Sequence, residues 1–128
     1  MNTLHKVLVV EDDPDIGRII FLSLETIGKL AVKVCPSGEQ ALEEAADFDP
    51  DMIVLDVMMP GMDGMETLAA LRETTTLIST PVVFLTAKVH STEIDRYQQL
   101  GVAGVISKPF DPMTLKSRLT ELFNAHHT

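Results

Sequence analysis

The sequence predicts an α/β fold, a doubly wound (βα)5 domain in which five parallel β-strands alternate with five helices. Short apolar runs recur along the chain, and most are continuous, which is typical of strands buried on both faces of a parallel sheet. Amphipathic segments with helix-capping residues separate these runs, and right-handed crossovers place helices on both faces. A chain of 128 residues suits one domain, predicted to span residues 1–128 with a core from about residue 5 to about residue 125.

Five segments are predicted to form the strands. Four of them are the apolar runs at residues 7–10, 52–55, 82–85 and 105–106. The other, at residues 31–35, alternates and contains Lys33, so we expect it at an edge of the sheet. This placement favours the flavodoxin-like strand order 2-1-3-4-5, one of the two common orders for doubly wound sheets.

Each predicted helix begins at a capping signal. In the first helix Asp13 is the cap, Pro14 is the first residue and Gly28 is the stop signal. The isoleucines expected on its buried face are Ile16, Ile19, Ile20 and Ile27. The later helices are expected to begin at Ser37 with Gln40, Asp63 with Glu66, Ser91 or Thr92, and Asp111 with Pro112. The threonine run at 74–76 is predicted to be a loop.

Composition narrows the functional classes. The net charge of −9 argues against direct nucleic-acid binding by this domain and favours a bound cation or a basic partner. No apolar stretch approaches the ~20 residues that cross a bilayer, and the N-terminus lacks a signal-peptide pattern. Cys35 is the only cysteine and is interpreted as a small buried residue. We therefore expect a cytoplasmic protein without membrane insertion.

Polar residues interrupt the apolar runs at their carboxyl ends. They are Glu11, Asp12 and Asp13 after strand 1, Asp56 after strand 3, Thr86 after strand 4 and Lys108 after strand 5. The carboxyl ends of parallel strands share one edge of the sheet, where ligand crevices form. These residues are therefore expected to converge, with Asp13 acting as a helix cap.

This set of side chains suits phosphoryl transfer. Clustered carboxylates repel one another, and Mg²⁺, which prefers oxygen ligands, removes that repulsion and keeps open positions for phosphate oxygens. Lys108 supplies a positive charge for a phosphoryl group, and Thr86 supplies a hydroxyl hydrogen bond. Asp56 stands alone at the end of a central strand, which makes it the best-placed nucleophile for an acyl phosphate.

Four segments together resemble the receiver domain of two-component response regulators, of the chemotaxis-regulator type. They lie at residues 9–13, 56–64, 85–87 and 107–110 and read VVEDD, DVMMPGMDG, LTA and SKPF. Each segment alone is weak or moderate support. All four in this order and at this spacing form a specific pattern, and the resemblance covers essentially the whole chain.

The resemblance implies a metal site and a phosphorylation site. Asp12 would bind Mg²⁺ (or Mn²⁺ in its place) directly, Glu11 would act through water, and Asp56 and the Met58 backbone carbonyl would complete the ligands. Asp56 would be the phosphoacceptor. Its donor would be a phosphohistidine on a sensor histidine kinase or a histidine phosphotransfer protein.

The resemblance also implies how the signal would leave the site. Thr86 and Lys108 would contact the phosphoryl group, with Lys108 aimed by a cis bond to Pro109. The conformational switch would act on a downstream output domain or protein, with a phosphorylation-dependent dimer as one form. Such a domain catalyses only its own phosphorylation and dephosphorylation. A stand-alone receiver and a receiver from a longer regulator fit the sequence equally.

Two departures from the family pattern affect the switch. Position 105, often an aromatic residue that moves on activation, is Val105, so an aromatic switch there is impossible. The Gly-Ala-Asp-Asp-Tyr run of the winged-helix transcription-factor branch is absent, and residues 101–105 read GVAGV, which puts the dimer mode of that branch in doubt. A further hypothesis is that Lys88 and Met58 tune the attack of water on the acyl phosphate.

The sequence argues against three other functions. A haloacid-dehalogenase-like phosphatase needs a second Asp two residues after its nucleophile, where this chain has Met58. A flavodoxin-type flavin protein needs a Ser/Thr/Gly-rich phosphate loop after strand 1, where this chain has three acidic residues. An interaction module that signals without phosphorylation would have no need of the complete polar set.

Overall fold

The computed structural model describes residues 3–87 and 90–127, and these residues form a parallel five-stranded sheet in the order β2-β1-β3-β4-β5. The strands are β1 (Lys6–Val10), β2 (Ala31–Cys35), β3 (Met52–Asp56), β4 (Val82–Thr86) and β5 (Gly104–Ser107). The helices are α1 (Pro14–Phe21), α2 (Gly38–Phe48), α3 (Gly64–Leu71), α4 (Ser91–Gln99) and α5 (Leu115–His126). The predicted fold class and strand order are confirmed, including the edge position of β2.

Two apolar layers cover the sheet, one on each face. The helices α1 and α5 pack on one face, and α2, α3 and α4 pack on the other. Along β4, Val83 and Leu85 belong to the first layer, whereas Val82 and Phe84 belong to the second. This alternation follows from the two-residue period of a strand. Every residue of β3 and β4 is buried, as expected of the continuous apolar runs.

The first helix differs in part from the prediction. Asp13 caps it as expected, because its side chain accepts hydrogen bonds from the backbone of Asp15 and Ile16, and Pro14 is the first residue. Beyond Phe21 the chain continues as a π-helical segment, Leu22–Ile27. The expected apolar face was wrong for Ile19 and Ile27, which are 43% and 60% exposed. The buried face is rotated and includes Ile20 and Leu24.

The starts of α2 and α3 follow their capping signals, whereas no side chain among the described residues caps α4 or α5. The Ser37 hydroxyl accepts from Gln40 N–H at the start of α2, and Asp63 and Glu66 form a complete capping box at α3. Helix α4 begins at Ser91 as expected, but the residue before it is His90, whose side chain does not cap the helix. Helix α5 begins only at Leu115, because the Asp111 carboxylate closes a turn by accepting from the backbone of Met113.

Two smaller features complete the backbone description. A 3-10 helix, Thr75–Leu77, occupies part of the region predicted to be a loop, and buried Leu77 packs into the core. The Lys108–Pro109 bond is cis, as expected. None of the helices within the described ranges is both long and apolar enough to span a membrane.

Strand register brings the polar residues to one edge of the sheet. Asp56 on β3 pairs with Leu85 on β4, and Thr86 pairs with Ser107 on β5. The Lys108 N–H then donates to the Thr86 carbonyl at 2.9 Å. Because the strands are parallel, their carboxyl ends all meet at this edge, where a ligand crevice is expected.

Candidate functional site

Three carboxylates converge at the carboxyl edge of the sheet. Glu11, Asp12 and Asp56 each place a carboxylate oxygen within 4.8 Å of the others. Glu11 and Asp56 are each 2% exposed, whereas Asp12 is exposed. Glu11 lies beyond the last residue of β1, and Asp56 is the last residue of β3. Two buried acids and one accessible acid therefore surround a single small volume.

The Lys108 side chain bridges the two buried acids. Its Nζ lies 2.8 Å from Glu11 Oε1 and 3.2 Å from Asp56 Oδ2. The Lys108 side chain is 20% exposed, whereas those of Glu11 and Asp56 are 0% and 3% exposed. The ammonium group thus separates two carboxylates that would otherwise repel each other directly.

The pKa of Glu11 reflects this crowding. Burial is the largest cause that raises it, and the neighbouring Asp56 carboxylate acts in the same direction. The Lys108 ammonium and the Asp13 N–H, which donates to Glu11 Oε2 at 3.2 Å, stabilise the charged form and lower the pKa. The result is a Glu11 pKa of about 7, well above its usual value of 4.5.

The pKa of Lys108 is set by a similar competition. Burial favours the neutral amine and lowers the pKa, whereas the contacts with Glu11 and Asp56 favour the ammonium ion. The carboxylates outweigh burial, so the Lys108 pKa lies above its usual value. Lys108 is therefore a cation at neutral pH and can pair with any anion that enters the site.

Two hydrogen bonds hold the loop after Asp56, one to Asp56 itself and one to Val57. The Met58 N–H donates to Asp56 Oδ1 at 3.3 Å, and the Gly64 N–H donates to the Val57 carbonyl at 3.0 Å. A Cβ atom at Gly64 would lie 2.5 Å from the Asp56 carbonyl oxygen and 2.7 Å from Val57 Cα. Only glycine allows helix α3 to approach the Asp56 backbone this closely.

Thr86 and Val105 lie on the strands next to the acidic site. Thr86 is 1% exposed at the end of β4, and its carbonyl accepts the Lys108 N–H. Val105 is half-buried on β5 opposite Phe84, further from the carboxyl edge. The Met58 side chain is 59% exposed beside the site. The hypothesis about Lys88 concerns a residue outside the described ranges.

The donor atoms fit a small divalent cation. The cluster offers oxygen ligands, which Mg²⁺ prefers, and exposed Asp12 leaves it accessible from solvent. Glu11 Oε1 is buried and makes no well-directed hydrogen bond among the described residues, although Lys108 Nζ is 2.8 Å away. This oxygen can therefore accept a further donor such as a metal-bound water.

Some features of the site were not predicted from the sequence. The direct ion pair between Glu11 and Lys108 was missed, because Glu11 was considered only as a metal neighbour acting through water. The close packing of Gly64 on the Asp56 backbone was also missed. The sequence signal for this packing was Gly64 itself, which follows Asp63 at the start of a helix. A glycine beside a site indicates that two backbone segments approach closely there.

Comparison with known proteins identifies the family. The family model described as the response regulator receiver domain matches residues 7–120. This chain belongs to that family. The receiver domain is a signalling phosphoacceptor domain rather than a classical enzyme, and the match decides against the phosphatase and flavodoxin alternatives.

The chain matches curated relatives of about twice its length as well as relatives of about equal length. CpxR of Escherichia coli, a transcriptional regulatory protein, is 37% identical over 126 residues, which cover 97% of this chain and 51% of CpxR. The DNA-binding response regulator MtrA of Mycolicibacterium smegmatis is 32% identical over 93% of this chain and 51% of MtrA. The chain spans about half the length of these relatives. Chemotaxis protein CheY-3 of Vibrio cholerae is 34% identical, and the match covers 96% of this chain and 95% of CheY-3.

Solved receiver structures share the fold closely. Chemotaxis protein CheY4 of Vibrio cholerae superposes with a TM-score of 0.86 at 31% identity, covering 94% of this chain and 99% of that one. The BeF3-activated N-terminal receiver domain of RstA from Klebsiella pneumoniae gives a TM-score of 0.82 at 33% identity, covering 93% and 98%. This receiver domain therefore functions in phosphoacceptor signalling by response regulators.

Proposed function

We propose that Asp56 is the phosphoacceptor of this receiver domain, with a phosphohistidine on a sensor histidine kinase or phosphotransfer protein as donor. The observation that carries this proposal is the position of Asp56, which is buried in the acidic cluster and paired with Lys108 at 3.2 Å. An Asp held in this way lies among oxygen atoms that can bind a cation, and it has an ammonium group beside it to receive phosphoryl oxygens. Both properties suit a nucleophile in phosphoryl transfer.

The proposed transfer exchanges one bond to phosphorus for another. An Asp56 carboxylate oxygen attacks the phosphorus atom, the P–N bond to the donor histidine breaks, and the imidazole nitrogen leaves with its electron pair and takes a proton. Lys108 then pairs with the phosphoryl oxygens in place of Asp56 Oδ2. The Thr86 hydroxyl donates a hydrogen bond to the same phosphoryl group. The domain acts on itself, promoting its own phosphorylation and its own dephosphorylation.

The proposed metal cofactor is Mg²⁺, with Mn²⁺ as a substitute. Asp12 and Asp56 would bind it through their carboxylates, Glu11 through water and Met58 through its backbone carbonyl. The cation would supply positive charge that offsets the charge developing on the transferred phosphoryl group. The supporting observation is the convergence of the three carboxylates within 4.8 Å.

Phosphorylation is proposed to act as a conformational switch. The domain samples two states, and the phosphoryl group favours the one in which Thr86 approaches it. Val105 cannot supply a moving aromatic ring, so the response passes through other side chains near β4.

The proposed setting is a cytoplasmic two-component system. The output is proposed to be a linked domain or a separate protein, because the chain matches relatives about twice its length as well as relatives of about equal length. A phosphorylation-dependent dimer is the proposed assembled form. With a net charge of −9, the receiver itself is not expected to contact nucleic acid.

Intact-protein mass spectrometry after incubation with acetyl phosphate tests the proposal. Wild type should gain a single phosphoryl group in Mg²⁺ and none in EDTA. Asp56→Asn removes the nucleophile but keeps the side-chain volume, so it should gain none in either buffer. An adduct on Asp56→Asn would refute the assignment. Absence of an adduct on wild type, even with a phosphohistidine donor, would favour signalling without phosphorylation.

A further inference from the structure

Helix α4 is attached to the sheet through one buried side chain. Within Ser91–Gln99, which the structure describes throughout, Tyr97 is the only buried residue, at 2% exposure. Glu93 and Ile94 are half-buried, and the other residues of the helix are exposed. A helix with so little apolar contact depends on few interactions for its position, because tertiary packing supplies most of a helix's stability.

The Tyr97 ring rests on an aromatic residue in the centre of β4. Its centroid lies 5.1 Å from that of Phe84, and the two planes meet at 86°, an edge-to-face arrangement. Such ring pairs contribute about 0.5–1.5 kcal/mol beyond the burial of their area. Phe84 is fully buried, so the ring of Tyr97 rests on the packed interior of this apolar layer.

The residue under Tyr97 lies on the same face of β4 as Thr86. Phe84 and Thr86 are two residues apart on β4, so their side chains point to the same face of the sheet. Val105 lies opposite Phe84 on β5 and belongs to the same apolar layer as Tyr97. A change in the position of Thr86 therefore alters the edge of the surface on which the Tyr97 ring rests.

We propose that Tyr97 is the residue through which Thr86 controls helix α4: its ring, seated on Phe84, converts a movement of Thr86 into a shift of the helix. This inference deepens the proposed function and rests on it for the role of phosphorylation. The ring contact, not the hydroxyl, performs the coupling. Val105, which is smaller and half-buried, supplies only part of the surface beside the ring.

The chain contains its own probe for this coupling. Tyr97 is the only tyrosine, and the chain has no tryptophan, so intrinsic tyrosine fluorescence reports on this ring alone. Acrylamide quenching of that fluorescence measures how accessible the ring is. Acetyl phosphate with Mg²⁺ should change the quenching constant of wild type by at least about twofold, since even a small opening is large relative to 2% exposure. Asp56→Asn should show no change.

Two substitutions separate the ring contact from the hydroxyl. Tyr97→Phe keeps the edge-to-face contact, so phosphorylation should change the backbone hydrogen exchange of α4 as it does in wild type. Tyr97→Ala should accept the phosphoryl group to the same extent but lose the response of α4, measured as backbone hydrogen exchange across Ser91–Gln99. In the absence of phosphodonor, its α4 amides should exchange about tenfold faster, because the ring pair no longer holds the helix closed. Gln98→Ala, on the exposed side of α4, is the matched control. Its phosphoryl acceptance and its α4 hydrogen exchange should both match those of wild type.

The outcomes separate this inference from the proposed function. A Tyr97→Ala protein whose α4 exchange still responds to phosphorylation as in wild type would overturn the coupling role. If wild type accepts no phosphoryl group, the proposed function fails, and Thr86→Ala then tests the coupling without phosphate. Thr86→Ala should change the acrylamide quenching constant of Tyr97 by about twofold, the size expected from phosphorylation. An unchanged quenching constant in Thr86→Ala would overturn the inference in either case.

Discussion

The Lys108 ammonium lies 2.8 Å from Oε1 of Glu11, and that glutamate side chain is fully buried. The pair joins the end of β1 to the segment after β5, across the full set of strands that form the site. A buried carboxylate that loses its cationic partner is destabilising, because the remaining charge has no compensation. Lys108 therefore has a structural role in addition to its proposed contact with the phosphoryl group.

Replacing Lys108 should expose that structural role. Lys108→Ala should lower the free energy of unfolding by about 2 kcal/mol, less than for a fully buried pair because the lysine is partly exposed. Urea unfolding in EDTA at pH 8 measures this loss relative to a wild type in which Glu11 is charged, because the Glu11 pKa there is about 7. Loss of the Lys108 ammonium raises the Glu11 pKa further in the variant, because that ammonium stabilises the carboxylate. In a Glu11→Gln background the same change should cost less than about 1 kcal/mol. Equal costs in both backgrounds would show that the ion pair contributes nothing.

Mg²⁺ should stabilise the folded protein by binding to the acidic cluster. At ten times the dissociation constant, binding should contribute about 1.4 kcal/mol, which corresponds to a rise in Tm of roughly 5 °C for a domain of this size. Asp12→Asn removes the exposed carboxylate and should lose most of that rise. Differential scanning fluorimetry with and without Mg²⁺, at equal ionic strength, measures both. A Tm for wild type that does not depend on Mg²⁺ would contradict the proposed metal site.

Gly64→Ala should damage both stability and phosphorylation. Alanine normally favours a helix over glycine, but here the added Cβ would lie 2.5 Å from the Asp56 carbonyl oxygen. Overpacking against backbone should cost about 2–3 kcal/mol and displace the loop that carries Asp56. Chemical unfolding and the rate of adduct formation from acetyl phosphate test the two effects.

Gly101→Ala is the matched control for that change. Gly101 has a φ of +82°, and a Cβ there would meet nothing within 4 Å. Alanine should cost about 1–2 kcal/mol from the left-handed backbone alone and leave the rate of adduct formation unchanged. If Gly64→Ala phosphorylates as fast as Gly101→Ala, the close approach of α3 does not position Asp56.

Cys35 should resist alkylation in the folded state. Burial, followed by the charge of Glu44, raises the pKa of its thiol from 9.0 to about 11. At pH 8 this lowers the thiolate fraction about 100-fold, and only the thiolate reacts readily. Iodoacetamide labelling followed by intact mass should be slow in native buffer and rapid in urea. Glu44→Gln removes one cause of the raised pKa and should label faster than wild type, and labelling at the rate of unfolded protein would contradict a buried thiol.

Sequence patterns predicted the helix caps better than the buried faces of the helices. The caps at Asp13, Ser37 and Asp63 were predicted correctly because a cap involves contacts within four residues along the chain. The buried face of α1 was predicted wrongly at Ile19, which the structure exposes. Four isoleucines at roughly helical spacing indicate an amphipathic helix, but they do not specify which side of that helix faces the sheet. The π-helical segment that follows has more residues per turn, so it also changes which residues share a side.

The amino-acid sequence by itself determined the element order, the strand order and the set of polar residues at the strand ends. Continuous apolar runs, caps and the carboxyl-end rule for parallel sheets are local or topological properties that can be read along the chain. Only the tertiary structure decided that Lys108 pairs with Glu11 as well as Asp56, and that the Tyr97 side chain, the one buried residue of α4, packs on Phe84. These contacts join residues far apart in the chain or on different elements. Their distances depend on packing and side-chain rotamers, which periodicity and motif spacing do not specify.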